Sequence, residues 1–168
     1  MNIAYTLVDS PLGRLLVAAT HKGVCAVSFG DDDATLEQSL VYEYPAATIT
    51  RDGVDICEWV NAILRYLDGQ QPSLDLPIDV QTTAFRWRVW KHLQTIPRGS
   101  TRSYSEIARE LGQPQAARAV AQACATNPVA VIVPCHRVVH ANGDPTGYRW
   151  GQARKQQLLE QEAYTQPQ

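Results

Sequence analysis

Three short runs of β-forming residues fill the first thirty positions of this 168-residue chain, and they restrict its fold more than any other feature. Ile3-Ala4-Tyr5-Thr6-Leu7-Val8 is followed by the turn residues Ser10-Pro11-Leu12-Gly13. Leu15-Leu16-Val17-Ala18-Ala19 leads to Lys22-Gly23, and Val24-Cys25-Ala26-Val27-Ser28-Phe29 closes the series. Such runs split by Pro and Gly signals predict an antiparallel meander. Asp31-Asp32-Asp33 then offers N-cap chemistry for a helix from about Ala34 to Glu43. Residues 54 to 67 place Ile56, Val60, Ile63, Leu64 and Leu67 on one helical face, which Asp68-Gly69 closes. Gln70 to Thr82 holds two prolines and no long periodic run, so it is the expected linker.

Beyond it the texture turns helical. Phe85, Val89 and Leu93 share a stripe with Trp90 beside it, and Ile96-Pro97-Arg98-Gly99 ends that helix. Ser103 caps a short helix running through Arg109, Leu111-Gly112 makes a turn, and Pro114 opens an alanine-rich helix to about Thr126. The arrangement resembles a helix-turn-helix unit, with Arg118 standing where that motif usually keeps an apolar residue. A last helix is expected from about Gln152 to Ala163, anchored by Leu158-Leu159. The fold class that follows is α/β. A small N-terminal lobe, 1–82, carries an antiparallel β-sheet and helices; a mostly α-helical lobe, 83–168, carries the helix-turn-helix.

Hydrophobic residues make up 45% and charged residues 19%, the balance of a chain with a folded core. No apolar run approaches the roughly 18 residues of a membrane span, and Asp9 and Arg14 break any secretory pattern at the N-terminus. The four cysteines form no CxxC pair, which argues against a structural zinc site or a disulfide framework and for a reducing, cytoplasmic setting. The net charge of -2 conceals a division. Residues 1–83 hold 4 basic and 12 acidic residues, residues 84–155 hold 11 and 3, and the tail adds two acids. A segment at +8 suits phosphate recognition, but a solvated basic surface has the same composition.

The stretch Asn127-Pro128-Val129-Ala130-Val131-Ile132-Val133-Pro134-Cys135-His136-Arg137-Val138-Val139 carries the chemistry. Pro134 keeps Val133 out of the α region and fixes the approach to Cys135. Burial among apolar residues raises a thiol pKa, so a reactive Cys135 needs a base. His136 is the nearest one, acting directly or through a water. A packed core cysteine is the competing reading. A metal site from Cys135, His136 and His140 lacks a second ligand pair, and a cysteine protease would need a distant histidine and an oxyanion hole.

Pro134-Cys135-His136-Arg137-Val138-Val139, with Asn127-Pro128 before it, resembles the active-site signature of the O6-alkylguanine-DNA alkyltransferases (methylated-DNA–protein-cysteine methyltransferases). The likeness continues in order. Ser103-Tyr104-Ser105-Glu106-Ile107-Ala108 is similar to the family's tyrosine helix, and Ala116-Ala117-Arg118-Ala119-Val120 to its recognition helix. Gly147-Tyr148-Arg149-Trp150-Gly151, Lys155 and Leu158-Leu159 are similar to its pocket loop and closing helix. Together these span about 84–163. The N-terminal half matches more loosely, Asp31–Leu36 resembling the methyl-transferring half of the bacterial adaptive-response protein.

The resemblance implies single-turnover transfer of an O6-alkyl group, mainly methyl, from guanine to Cys135, with O4-methylthymine as a second substrate. His136 would take the thiol proton through a water and Glu162 would orient it, Glu160 being the local rival. Tyr104 would bond the base, Arg118 would enter the stack, and Asn127 would act as the hinge. Val138 would offer its carbonyl to the guanine amino group, and Tyr148 and Arg149 would line the alkyl pocket. Arg137 is expected as a structural ion-pair partner. No cofactor and no metal are implied; the zinc of some members is not carried over, since only Cys25 and His21 lie close. The implied partner is double-stranded DNA bound through the minor groove, with the protein a monomer and no membrane involved. A DNA-binding damage sensor with an unused Cys135 and a non-catalytic helix-turn-helix regulator are the rival functions.

Overall fold

The computed structural model describes residues 1–52, 56–145 and 147–164. The chain forms two compact units: Met1–Val80 together with Pro128–Ile132, and Gln81–Asn127 together with the chain from Val133 onward.

In the first unit β1 (Asn2–Ser10), β2 (Gly13–Ala19) and β3 (Val24–Gly30) form the antiparallel meander that the turns predict. β1 buries Ile3, Tyr5 and Leu7 at a period of two. These pack with Leu16, Ala18, Cys25 and Ala26 against Leu36 and Leu40 of α1 (Asp33–Glu43). Asp32 caps α1 by accepting from the Thr35 amide. A fourth strand, β4 (Thr48–Arg51), lies parallel to β1 and gives the order β3-β2-β1-β4. It escapes the sequence pattern because it has four residues and none of them is buried. α2 (Cys57–Leu67) buries Val60, Ile63 and Leu67 as expected; positions 54 and 55 of the expected helix lie outside the described residues.

The expected linker holds no helix, and the chain passes from the first unit to the second within it, between Val80 and Gln81. Residues 77–79 are bound to the free edge of β3, the Val24 amide donating to the Pro77 carbonyl and the Asp79 amide to that of Val24. Thr20 donates its hydroxyl to Asp79. Gly23 permits this approach, since a Cβ there would stand 2.7 Å from the Pro77 oxygen. Pro128–Ala130 covers β3 further along, through the Val27 amide and carbonyl. An edge strand with open amides and carbonyls is thereby closed on its outer side.

The second unit is mostly helical: α3 (Ala84–Leu93), α4 (Tyr104–Glu110), α5 (Ala117–Ala125) and α6 (Gln152–Tyr164). Trp90 of α3, whose bulk has no assignment from sequence, is buried and donates its indole N–H to the Ala123 carbonyl of α5 at 2.9 Å. Trp87 instead lies under the Lys91 ammonium at 5.0 Å. α4 begins in a complete capping box of Ser103 and Glu106. Between α4 and α5, Gly112 is left-handed at φ +77°. α5 starts at Ala117 rather than Pro114, because Gln113–Ala116 close a turn of their own with Pro114 second in it. Two very short strands, β5 (Arg102–Ser103) and β6 (Val138–Val139), pair in parallel. Among the described residues no helix is long and apolar enough to cross a membrane.

Candidate active site

The β5–β6 pair sets the site, because Tyr104 follows β5 directly and β6 follows the 3₁₀ turn Cys135–Arg137. The approach to that turn is bent twice. Val131 is left-handed at φ +60°, with the Ile132 amide donating to the Ala130 carbonyl at 2.7 Å. Pro134, at φ -81° and ψ 61°, has the Cys135 amide donating to the Val133 carbonyl at 2.8 Å. Both are three-residue turns, and the one at Val131 is strained, since a β-branched residue sits in the left-handed region.

Cys135 is 3% exposed. Asn127 Nδ2 donates to its Sγ at 3.2 Å and to the Val133 carbonyl at 3.0 Å, so one amide grips both the sulfur and the bend that delivers it. Burial pushes the Cys135 thiol up to about 11, against the Asn127 hydrogen bond and the nearby charges of Lys155 and Arg149. The sulfur is therefore a protonated thiol at neutral pH, and ionising it requires a base.

That base stands next to it in the chain. His136 is fully buried, and its Nε2 is 2.5 Å from Glu162 Oε1 on α6. Arg137 donates to both Glu162 oxygens, Nε at 2.9 Å to Oε2 and Nη2 at 3.1 Å to Oε1, and Nη1 donates to the Ile96 carbonyl. Burial alone would raise the Glu162 carboxyl; the His136 hydrogen bond and the Arg137 charge outweigh it and bring it down to about 2. Burial holds the imidazole below its ordinary pKa, so it is neutral. Arg137 neutralises the carboxylate, and the imidazole proton sits on Nε2, facing it. Nδ1, which has no hydrogen-bond partner among the described residues, is then the basic nitrogen. Glu160 is exposed and accepts from Gln156, and Glu162 is the carboxylate brought to the histidine.

A cavity of about 340 Å³ opens over Cys135, lined also by Tyr104, Cys124, His140, Gly147, Tyr148 and Arg149. Tyr104 packs edge-on to His140, and burial lifts its hydroxyl to about 12. Tyr148 has its hydroxyl buried without a hydrogen-bond partner among the described residues and packs edge-on to His136 and Trp150. The Arg149 guanidinium donates to the Asn127 carbonyl at 2.9 Å and lies over Trp150. Lys155, fully buried, donates to the Val138 carbonyl at 2.6 Å and to that of Gly147 at 3.2 Å. Arg118 is exposed near the start of α5, away from this cluster of contacts. Sequence reasoning missed Cys124 with Ala121 and Ala125 as cavity lining. Their 0, 3, 4 spacing is one face of α5, a signal that is present but points nowhere until the helix is placed.

A family model described as "6-O-methylguanine DNA methyltransferase, DNA binding domain" matches residues 84–164, and one described as the ribonuclease-like domain of the same methyltransferase matches residues 3–80. This chain belongs to that family. Among its relatives, the bifunctional transcriptional activator/DNA repair enzyme Ada of Escherichia coli is 47% identical over 163 residues, 97% of this chain and 46% of Ada. The chain thus spans about half the length of that relative. The methylated-DNA–protein-cysteine methyltransferase of Mycobacterium tuberculosis is 43% identical, covering 98% of this chain and 95% of its own. The crystal structure of the M. tuberculosis methyltransferase OGT in complex with DNA superposes at a TM-score of 0.80, with 38% identity, 98% of this chain and 95% of that one. A 6-O-methylguanine DNA methyltransferase of this kind is mixed α/β, which the two units here reproduce.

Proposed function

We propose that this chain repairs DNA directly, moving the alkyl group of O6-alkylguanine, chiefly methyl, onto Cys135 once per molecule. The observation that carries the reading is the thiol at the floor of the cavity, held by Asn127 and backed by the His136–Glu162–Arg137 chain. His136 Nδ1 accepts the thiol proton through a water. The thiolate attacks the alkyl carbon, forming a C–S bond as the C–O6 bond breaks, and the electron pair leaves on the guanine. Tyr104, kept protonated by its raised pKa, donates to the base ring nitrogen and neutralises the departing charge. The thioether is stable and no cofactor is needed, so the reaction ends there.

The remaining residues take binding roles in this reading. Arg118 enters the minor-groove stack in place of the extruded nucleotide, and the small alanines around it let α5 approach the duplex. Val138 offers its carbonyl to the guanine amino group. Tyr148 and Arg149 wall the alkyl pocket, the latter tied to Asn127 at the hinge. O4-methylthymine fits the same chemistry. The lobe from 83 to 168 carries both DNA binding and catalysis, while 1–82 supports it, and the protein acts in the cytoplasm as a single copy.

The test is intact mass after incubation with duplex DNA carrying O6-methylguanine. A gain of one methyl, absent in Cys135→Ser, is expected. Binding without transfer would favour a damage sensor. Arg118→Ala is expected to slow repair of the duplex far more than reaction with the free base, because the free base needs no extrusion.

A further inference from the structure

The cavity over Cys135 holds a second thiol. Cys124, on α5, lines the same roughly 340 Å³ space and is itself only 7% exposed. α5 is held in place by the Trp90 bond to Ala123, so Cys124 faces the cavity from a fixed backbone. The charge of an ionised Cys135 opposes ionisation of Cys124, and Lys155 favours ionisation of both. The mechanism proposed above uses only Cys135.

We infer that this pocket has a second activity, in which a lesion with two electrophilic carbons is captured twice, ending as a two-carbon bridge between Cys135 and Cys124. The substrate class is O6-(2-haloethyl)guanine in duplex DNA, and the inference rests on the alkyl transfer proposed above. In the first step Cys135 Sγ forms a bond to the near carbon as the C–O6 bond breaks and the electron pair leaves on guanine. The product, a 2-chloroethyl thioether, is itself an electrophile. Its sulfur lone pair displaces chloride to give a three-membered sulfonium ring. Cys124 Sγ then attacks a ring carbon, one C–S⁺ bond opens and returns its electron pair to the Cys135 sulfur, and the Cys124 proton passes to solvent. The balance of the second stage is loss of HCl.

Burial makes Cys124 a weak nucleophile on its own, raising its thiol well above the ordinary range. Once alkylated, the Cys135 sulfur can no longer ionise, so no thiolate opposes ionisation of Cys124. Confinement in one cavity raises the effective concentration of the pair by orders of magnitude, about 10⁵ M or more for well-oriented groups. An unbridged chloroethyl thioether would instead remain free to alkylate the DNA just repaired.

Two duplexes test this with the full chain, one carrying O6-methylguanine and one O6-(2-chloroethyl)guanine. With the chloroethyl duplex the expected product is a mass gain of C2H2 and the loss of two of the four thiols to iodoacetamide after denaturation. Methyl transfer with a chloroethyl product that stays at C2H3Cl, or hydrolyses to a hydroxyethyl group, with one thiol lost, overturns the bridge and leaves the repair reading standing. Absence of methyl transfer overturns the repair reading itself. Cys124→Ala is expected to lose the bridged mass and the second thiol loss, with Cys124→Ser as the near-isosteric replacement should the alanine variant unfold. A bridged mass persisting in either variant overturns the assignment of Cys124.

Discussion

At the residue scale the site depends on one buried carboxylate serving two partners. Glu162 accepts from His136 and Arg137, while Glu160, two residues before it, is exposed and accepts from Gln156. Glu162→Gln leaves a buried guanidinium without its counter-charge, so about 3–5 kcal/mol of stability should be lost on urea unfolding, together with most of the transfer rate. Glu160→Gln should change stability by less than about 0.5 kcal/mol. A result in which the two variants behave alike would remove the carboxylate from the mechanism. Val131 allows a different check. Alanine is ordinarily the better residue by about 0.5–1 kcal/mol over glycine. At a φ of +60° the order should invert, with Val131→Gly more stable than Val131→Ala by up to about 1 kcal/mol, since both lose the two valine methyls and the strain relieved in glycine outweighs its further loss of the Cβ. Differential scanning of the pair decides it. From sequence, Cys135 and His136 are visible as neighbours. The strain at Val131 is not, because a valine in an apolar run gives no sign of left-handed backbone.

At the scale of elements, the β5–β6 pairing and the capping box together aim Tyr104. Ser103 is at once the last residue of β5 and the N-cap of α4. Ser103→Ala should cost about 1 kcal/mol in thermal unfolding and fray the first turn, where Tyr104 sits. Transfer from duplex DNA should slow accordingly, while the reaction of Cys135 with a small soluble electrophile holds its rate. Equal slowing of both reactions would mean that Tyr104 is not what the cap positions. The helices were legible from their apolar periodicity and caps. The two-residue strands were not, since two residues carry no period, and neither was the late start of α5, where turn chemistry at Gln113–Ala116 prevails over the helix preference of the alanines.

For the whole molecule, the buried ionisable groups define a pH window of stability. Glu162 is held at about 2 against an ordinary 4.5, so its contribution is complete above 4.5 and is lost as pH falls toward 2. His136, buried neutral, adds a loss that begins once the unfolded imidazole protonates, below about 6.5. On the alkaline side Cys135 is held at about 11 and Cys25 at about 12, against an ordinary 9. The folded state keeps these protons and the unfolded state releases them, so stability is lost as pH rises from 9 through the folded values. Tyr104 acts in the same direction, and Lys155, lowered by burial, in the opposite one. Urea midpoints measured from pH 3 to 11 should fall at both ends, and Cys135→Ser should soften the alkaline fall. A flat alkaline limb would contradict the burial of these thiols. The sequence alone determined the meander, the amphipathic helices, the split in charge and the adjacency of Cys135 and His136, because each is written in residues close along the chain. The tertiary structure alone decided that Pro128–Ile132 belongs with the first unit, that Glu162 and not Glu160 meets His136 across 26 positions, and that α5 turns a second thiol into the cavity. Those choices rest on contacts between segments far apart in the chain, and such contacts exist only once packing has brought the segments together.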